Sequence, residues 1–314
     1  MKPEVDPKKI VVLSGSGMSA ENGLPTFRDA KGLWNNYSWQ EVASPEGWQL
    51  RPEAVLAFYN ERRLKAWHAA PNAAHLAIAE LEQAFKVVVV TQNVDGLHER
   101  AGSSKVIHLH GELAYARGTS ENPKRYRIDD SAISLGQCCE DGTQLRPDIV
   151  WFGEETQYMD EAKWHISTAA KVLVVGTSLT VYPAASLVKA ARGRAEKVLV
   201  SLEMDKIPYG FAYLRGAAAT VVPGLSKKWL ARAGGEPWQS LKKRGCTLGQ
   251  VEQQVCRRLS QRLRRHWLRH ATQILQHIVH LLGEVLQAVR PLLQWNGWHS
   301  HGAFVTGARC GQGS

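Results

Sequence analysis

The chain has 314 residues, with 39 Lys+Arg against 29 Asp+Glu and a formal charge of +10, a balance that taken whole suggests a nucleic-acid or membrane-surface protein. The surplus sits at one end: from Ser226 onward there are 14 basic and three acidic residues, whereas residues 1–225 hold 25 basic and 26 acidic ones. At 44% hydrophobic and 22% charged the chain lies outside the disordered class, and nowhere do 18 apolar residues run together as a membrane span would need. Five cysteines, of which Cys138 and Cys139 are adjacent, suit no disulfide framework, so reduced thiols in a cytoplasmic protein are expected.

A first compact apolar strand is expected at residues 10–13. It runs into Ser14-Gly15-Ser16-Gly17-Met18-Ser19-Ala20, with a third glycine at Gly23. A strand, a Gly-x-Gly and a helix start resemble a dinucleotide loop, in which glycines let the backbone approach a pyrophosphate and a helix N-terminus supplies N–H groups. The spacing is not the usual one, and a tight turn without ligand explains the glycines equally well. Residues 27–83 read as a mostly helical insertion, with helices near 53–66 and 72–83 and Pro52 and Asn72 at their starts. A second strand at 87–91 leads to Gln92-Asn93-Val94-Asp95-Gly96-Leu97-His98, and a third at 106–109 leads to His110 and Gly111. Residues 112–149 are polar and turn-rich without helical period, as an inserted small subdomain would be.

A helix near 158–170, a strand at 172–175 ending in Gly176-Thr177-Ser178, a helix near 183–192 and a strand at 197–202 complete the body. The alternation predicts an α/β fold, a Rossmann-like doubly wound parallel sheet built from residues 1–26, 84–111 and 150–225. Residues 226–314 are set apart as a helical C-terminal extension.

With Leu24-Pro25-Thr26-Phe27-Arg28-Asp29, Leu145-Arg146-Pro147-Asp148-Ile149-Val150-Trp151-Phe152-Gly153-Glu154 and the stretch 179–186 added, the ordered motifs resemble the sirtuins, NAD-dependent protein-lysine deacylases, over about residues 8–224. The resemblance implies NAD as cofactor and acylated lysine side chains of proteins as substrate. It implies His110 as the base on the ribose hydroxyls, a task that suits an imidazole titrating near working pH, although a lone His in such a loop is more often structural. It implies that Asn93 orients the ribose and a water, that Asp95 contacts the nicotinamide amide and that Gln92 holds ribose hydroxyls. Gly15, Ser16, Gly17, Ser19, Ala20 and Trp34 would border the cofactor, with Phe27 and Arg28 over the cleaving bond and phosphates. Gly176, Thr177, Ser178, Ser201, Glu203 and Ala218 would line the adenosine side. Val150, Phe152 and Gly153 would pair with the substrate peptide as an added strand.

Tyr59 and Arg62, three apart on one helix face, match a pair that binds the acyl carboxylate in sirtuins removing succinyl, malonyl or glutaryl groups. A desuccinylase or demalonylase, with deacetylation alongside, is expected. His108, where the family often has an acid, is read as structural and as facing away from His110. Most sirtuins hold a structural zinc on two Cys pairs, but residues 116–121 carry no cysteine and only Cys138 and Cys139 stand near the second pair, so no zinc is expected.

The tail resembles nothing in the family. Its apolar spacing over about 250–293 supports one or two amphipathic helices, and three readings compete: contact with nucleic acid or a membrane surface, a helical appendage packing on the body or another subunit, and an out-of-frame extension that is no selected sequence. The alternative function is an NAD- or ADP-ribose-binding module, or an ADP-ribosyltransferase, with the basic tail as attachment. The sequence assigns no oligomeric state.

Overall fold

The structure, a computed structural model, describes residues 4–25 and 37–233, all within one compact unit spanning Met1–Gly235. The tail readings, apart from its first eight residues, lie outside the described residues.

Six parallel strands form the main sheet: β1 (Asp6–Ser14), β2 (Lys86–Thr91), β3 (Val106–His108), β7 (Ala169–Val175), β8 (Glu196–Ser201) and β9 (Ala212–Arg215). Their spatial order is β3-β2-β1-β7-β8-β9. The order reverses between β1 and β7, and an open α/β sheet leaves its ligand crevice at such a switch point, outside the carboxyl ends of the strands. Register is tight there, with Val12 opposite Val89 on one side and Leu173 on the other.

Alternation along the strands feeds two cores. Ile10, Val12, Val89, Leu173 and Val200 face α4 (Ala73–Glu80) and α7 (Ala218–Ala233), packing on Ile78, Val222 and Trp229. Val11, Leu13, Val88, Val174 and Leu199 face the other way, against Ala162 and Ile166 of α6 (Met159–Ser167) and Leu187. A strand covered on both faces must be apolar at every position, which is why these runs are continuous rather than alternating.

The first insertion carries α1 (Trp39–Val42), α2 (Pro45–Leu50) and α3 (Pro52–His68) before α4. Pro52 is the first residue of α3, and Asn72 caps α4 by accepting from the N–H groups of Ala74 and His75. After β2 comes the short α5 (Leu97–Ala101). The second insertion is an antiparallel sheet in the order β5-β4-β6, made of β4 (Gly111–Arg117), β5 (Arg125–Arg127) and β6 (Arg146–Ile149).

Four expectations need correction. The segment after Gly15 is two short 3-10 turns, Ser16–Met18 and Ala20–Asn22, and not an α-helix; Gly23, at φ 77°, closes the second turn and Pro25 follows. The segment expected as a helix at 183–192 is a 3-10 helix, Ala184–Ala190. The helix expected to reach 170 stops at Ser167, because Ala169 already belongs to β7. Finally, α7 runs through the boundary set at 225. Ser226 donates to the Ala77 carbonyl, and Trp229, fully buried, donates to Glu196. Three basic residues counted with the tail, Lys227, Lys228 and Arg232, sit on this helix.

Candidate functional site

The loops after β1 and β7 meet at the switch point. The Gly17 N–H donates to the Gly176 carbonyl at 2.8 Å, and the Gly15 N–H donates to Val175 at 3.1 Å. A Cβ on Gly176, whose φ is 62°, would lie 2.1 Å from the Met18 nitrogen, and one on Gly17 would lie 2.9 Å from the Gly176 oxygen. The glycines are therefore required first by each other: only without side chains can the two loops close on one another and leave a crevice above them.

That crevice is a cavity of about 670 Å³, within the range of small-molecule and cofactor sites. Every candidate residue among the described ones lines it, from Gly15, Ser16, Gly17, Ser19 and Ala20 through Gln92, Asn93, Asp95 and His110 to the residues beyond β6, β7 and β8. Phe27, Arg28 and Trp34 lie outside the described residues.

At the floor sits a buried polar cluster. Asn93 Nδ2 donates to Ser19 Oγ at 3.1 Å, and Ser19 Oγ donates to Asp95 Oδ2 at 3.0 Å. The Leu97 N–H donates to the other Asp95 oxygen, at 3.1 Å. Burial raises the Asp95 pKa, against the pull of these two hydrogen bonds. Gln92 Nε2 donates to Thr177 Oγ1 at 3.1 Å, tying the β2 loop to the β7 loop.

His110 Nδ1 is 3.1 Å from the Gln92 carbonyl. A carbonyl only accepts, so Nδ1 carries the proton and Nε2 keeps its lone pair. Burial lowers the His110 pKa, against the Gln92 hydrogen bond. The ring is thus a neutral base with a fixed tautomer, able to take a proton at Nε2.

Toward the opposite end, α3 presents Phe58, Tyr59, Arg62 and Lys65 to the cavity. Tyr59 is buried and its pKa is pushed up to about 12 by that burial, so it stays a neutral phenol. Burial lowers the Arg62 pKa, countered by Tyr59 and Asp95. Arg62 stacks its guanidinium 5.4 Å from the Phe58 ring centre, its Nε has no hydrogen-bond partner, and no carboxylate among the described residues pairs with it. Lys65 is instead paired with Glu61, at 2.5 Å. Phe58, Leu113, Ile149 and Trp151 supply the apolar wall, and none of them was singled out from sequence. For Phe58 a signal existed, since positions 58, 62 and 65 repeat at i, i+4, i+7.

The strand-pairing expectation at residues 150–153 is modified. The Val150 N–H donates to the His110 carbonyl and the Phe152 N–H to Ala43, so these two groups are already engaged within the chain. Pairing with a peptide there would fall on the carbonyls and on Gly153, which has φ 93°. Where the adenosine is expected, Ser201 Oγ donates to the Glu203 carbonyl at 2.7 Å, leaving that hydroxyl only its acceptor role. Ser178 Oγ lies 2.7 Å from Thr180 Oγ1, and Ala218 begins α7.

His108 ends β3 and does not line the cavity, whereas His110, beyond the end of the strand, does. The two imidazoles meet neighbouring carbonyls, His110 that of Gln92 and His108 that of Asn93 at 3.0 Å. His98 was also passed over; its Nε2 is 2.9 Å from Ser14 Oγ beneath the site. Glu99, His108 and Glu112 are the one group among the described residues whose ligand atoms come within 4.8 Å, but both His108 nitrogens are engaged with protein acceptors.

The residues of the small insertion do not fit zinc. Between the segments at 116–121 and 138–143, Thr119 N–H donates to Thr143 Oγ1 at 3.1 Å and Ser120 Oγ donates to Asp141 at 2.7 Å. The half-buried Cys139 thiol donates to Asp141 at 2.7 Å, and Cys138 is exposed. One thiol among hydroxyls and a carboxylate is not the four-ligand N/S set of a structural site.

The Sir2 family model matches residues 15–183. An NAD-dependent protein deacylase of Helicobacter pylori is 52% identical over 180 residues, covering 57% of this chain and 76% of that protein. One from Vibrio cholerae is 43% identical over 231 residues, covering 71% of this chain and 94% of its own. The crystal structure of a Sir2 homologue in complex with NAD superposes with a TM-score of 0.65 at 38% identity, covering 72% of this chain and 91% of that one.

Proposed function

The chain belongs to the Sir2 family, and we propose that its pocket carries out NAD-dependent protein deacylation with a preference for acyl groups that end in a carboxylate, such as succinyl and malonyl. The enzyme is an NAD-dependent protein deacylase. The site fits NAD: two glycine loops closed on each other at the switch point, a cavity of about 670 Å³ and a floor of buried amide, hydroxyl and carboxyl groups. When bound, NAD supplies a nicotinamide–ribose bond whose cleavage opens the ribose to the acyl oxygen of a modified lysine.

The chain's own groups then have definite tasks. His110 Nε2 takes a proton from a ribose hydroxyl, and its Nδ1–H anchor on Gln92 keeps that lone pair directed. Asn93 and Asp95, locked together through Ser19, orient their amide and carboxyl groups without rotamer search. The apolar wall of Phe58, Leu113, Ile149 and Trp151 keeps water from the reacting end.

The acyl preference rests on one observation, the Arg62 guanidinium in the cavity with no carboxylate partner among the described residues, beside the neutral Tyr59 phenol. A desolvated cation of this kind is completed by an anion, and guanidinium with phenol suits a carboxylate. Arg62→Ala is expected to lower kcat/KM for succinyl- and malonyl-lysine peptides about 10- to 100-fold, the scale of a charge-assisted hydrogen bond. Acetyl-lysine turnover should change less than about threefold, within the range of lost packing alone. Equal losses on all three substrates would overturn the preference. Wild-type protein that releases no nicotinamide with any acyl peptide, as a His110→Ala control should not, would favour the NAD-binding module instead.

A further inference from the structure

We propose that His108, held as an imidazolium by Glu99, is a positioning residue that fixes Asn93 for the reaction; the inference rests on the deacylase reading above.

The geometry decides the ring's charge. His108 is buried, with Nδ1 3.0 Å from the Asn93 carbonyl and Nε2 2.8 Å from a Glu99 carboxylate oxygen. Both partners are acceptors, so both ring nitrogens must donate, and only the doubly protonated ring does so. Either neutral tautomer would turn a lone pair on an acceptor in a buried place. Burial pulls the pKa of this ring down, but the hydrogen bond and charge of Glu99, the charge of Glu112 and the Asn93 carbonyl outweigh it, and the net direction is upward.

Asn93 is anchored at three points. Its N–H donates to Thr91 Oγ1 at 3.0 Å, its side chain donates to Ser19, and its carbonyl accepts from the His108 Nδ1–H. The first anchor is neutral, and the second runs through Ser19 to the Asp95 carboxyl. Thr91 Oγ1 is backed by Ser14 at 2.8 Å, and Ser14 by His98 at 2.9 Å. Burial and the charges of His75 and His108 push the His98 pKa well down, so that ring stays neutral. The carbonyl anchor is the one that depends on the charge of a histidine. The groups around His108 are Glu99 from α5, Glu112 from β4, Asp95 and His98, and Glu112 is itself paired with Arg125 at 2.8 Å. The carbonyls of Gln92 and Asn93 are thus each held by a histidine, the first neutral and the second charged.

The two acceptors require the ring's second proton, and that proton and the anchor are lost as pH rises through the His108 pKa, which lies above the ordinary imidazole value. Turnover should fall on the alkaline side for this reason, and on the acid side when His110 becomes protonated. The test measures kcat and KM against pH with NAD and a succinyl-lysine peptide for wild type, Glu99→Gln and His108→Gln, together with the ¹⁵N spectrum of the wild-type histidine rings. In Glu99→Gln, a change at a side chain 41% exposed, the alkaline limb should move down by about one pH unit, the size expected for losing one paired charge, while the acid limb stays. In His108→Gln, kcat should fall about tenfold with the KM for NAD little changed, as for an interaction that matters only in the transition state, and the alkaline limb should vanish. Two N–H signals are expected for the His108 ring at neutral pH. A wild type without an alkaline limb, a limb unmoved in Glu99→Gln, or a neutral His108 ring overturns the proposal, and the Glu99 variant decides it even if His108→Gln does not fold. Absence of all turnover in the wild type would instead defeat the deacylase reading, with the ring spectrum still deciding the charge of His108.

Discussion

The six-stranded sheet and the three-stranded insertion are held together by different forces. The large sheet is covered on both faces by Val, Ile and Leu, and its two cores include fully buried Ile10, Leu13, Leu173 and Trp229. The insertion packs on α3 through two apolar clusters, one with Leu56, Ala116, Ile133 and Leu145 and one with Phe58, Leu113 and Ile149, and adds buried charge to them. Asp148, 1% exposed, accepts from Arg125 at 2.5 Å and lies 3.7 Å from Arg117. Arg146 donates to both oxygens of Glu154, at 2.6 and 3.0 Å, and Arg63, 1% exposed, donates to the Leu113 carbonyl at 2.6 Å. A mostly polar segment without a zinc ligand set adds to its limited apolar packing by satisfying buried charges with directed hydrogen bonds. Such pairs specify geometry more than they add stability. Here they also reach the site, because Glu154 accepts the Trp151 N–H and so holds the loop at 151–153 that borders the pocket.

The contrast can be broken from either side. Leu173→Ala removes apolar contacts between the strands and α4 and α7, and should cost about 2–5 kcal/mol in urea unfolding, seen as one cooperative transition of the whole unit. A loss confined to part of the unit would show that the large core is not shared. Asp148→Asn should cost less, about 1–3 kcal/mol, because Arg125 is 38% exposed and partly screened by solvent. Its signature is faster amide exchange within 111–150 and a higher KM for peptide, while amides of β1 and β7 keep their protection. Equal loosening of both sheets would mean that the ion pairs support the whole unit. The smallest effect is expected from a chelator: melting should shift by less than about 1 °C, since a bound structural zinc would contribute folding free energy outright. One equivalent of zinc by metal analysis, lost together with several degrees of melting temperature, would remove the basis of the comparison.

Much of the large sheet was legible because a strand buried on both faces writes a continuous apolar run, as at residues 10–13, 87–91 and 172–175. β9 was not, since Ala212, Leu214 and Arg215 are exposed on an edge strand and carry no such run. The 3-10 geometry at Ala184–Ala190 was equally hidden, because an apolar segment of seven residues fits either helix type. In the insertion, β4 to β6 pair residues as far apart as Gly111 and Ile149, and polar strands held by ion pairs show no period in sequence. Trp229 shows the opposite error, a core residue assigned to the tail because charge was counted where burial decides.

The site divides in the same way. The order of the glycine, Gln-Asn-x-Asp and His-Gly motifs by itself determined which strand ends would converge, because a doubly wound sheet brings the carboxyl ends of its strands to one edge. Only the tertiary structure decided what each group does there. The glycines of two distant loops are needed against each other, and Arg62 stands in the pocket with no carboxylate partner among the described residues. His108 and His110, two residues apart and chemically identical in sequence, have pKa values moved in opposite directions because one meets a carboxylate of α5 and the other only a carbonyl and burial. A pKa is set by the groups packed around a ring, and those come from segments that the chain brings together only on folding.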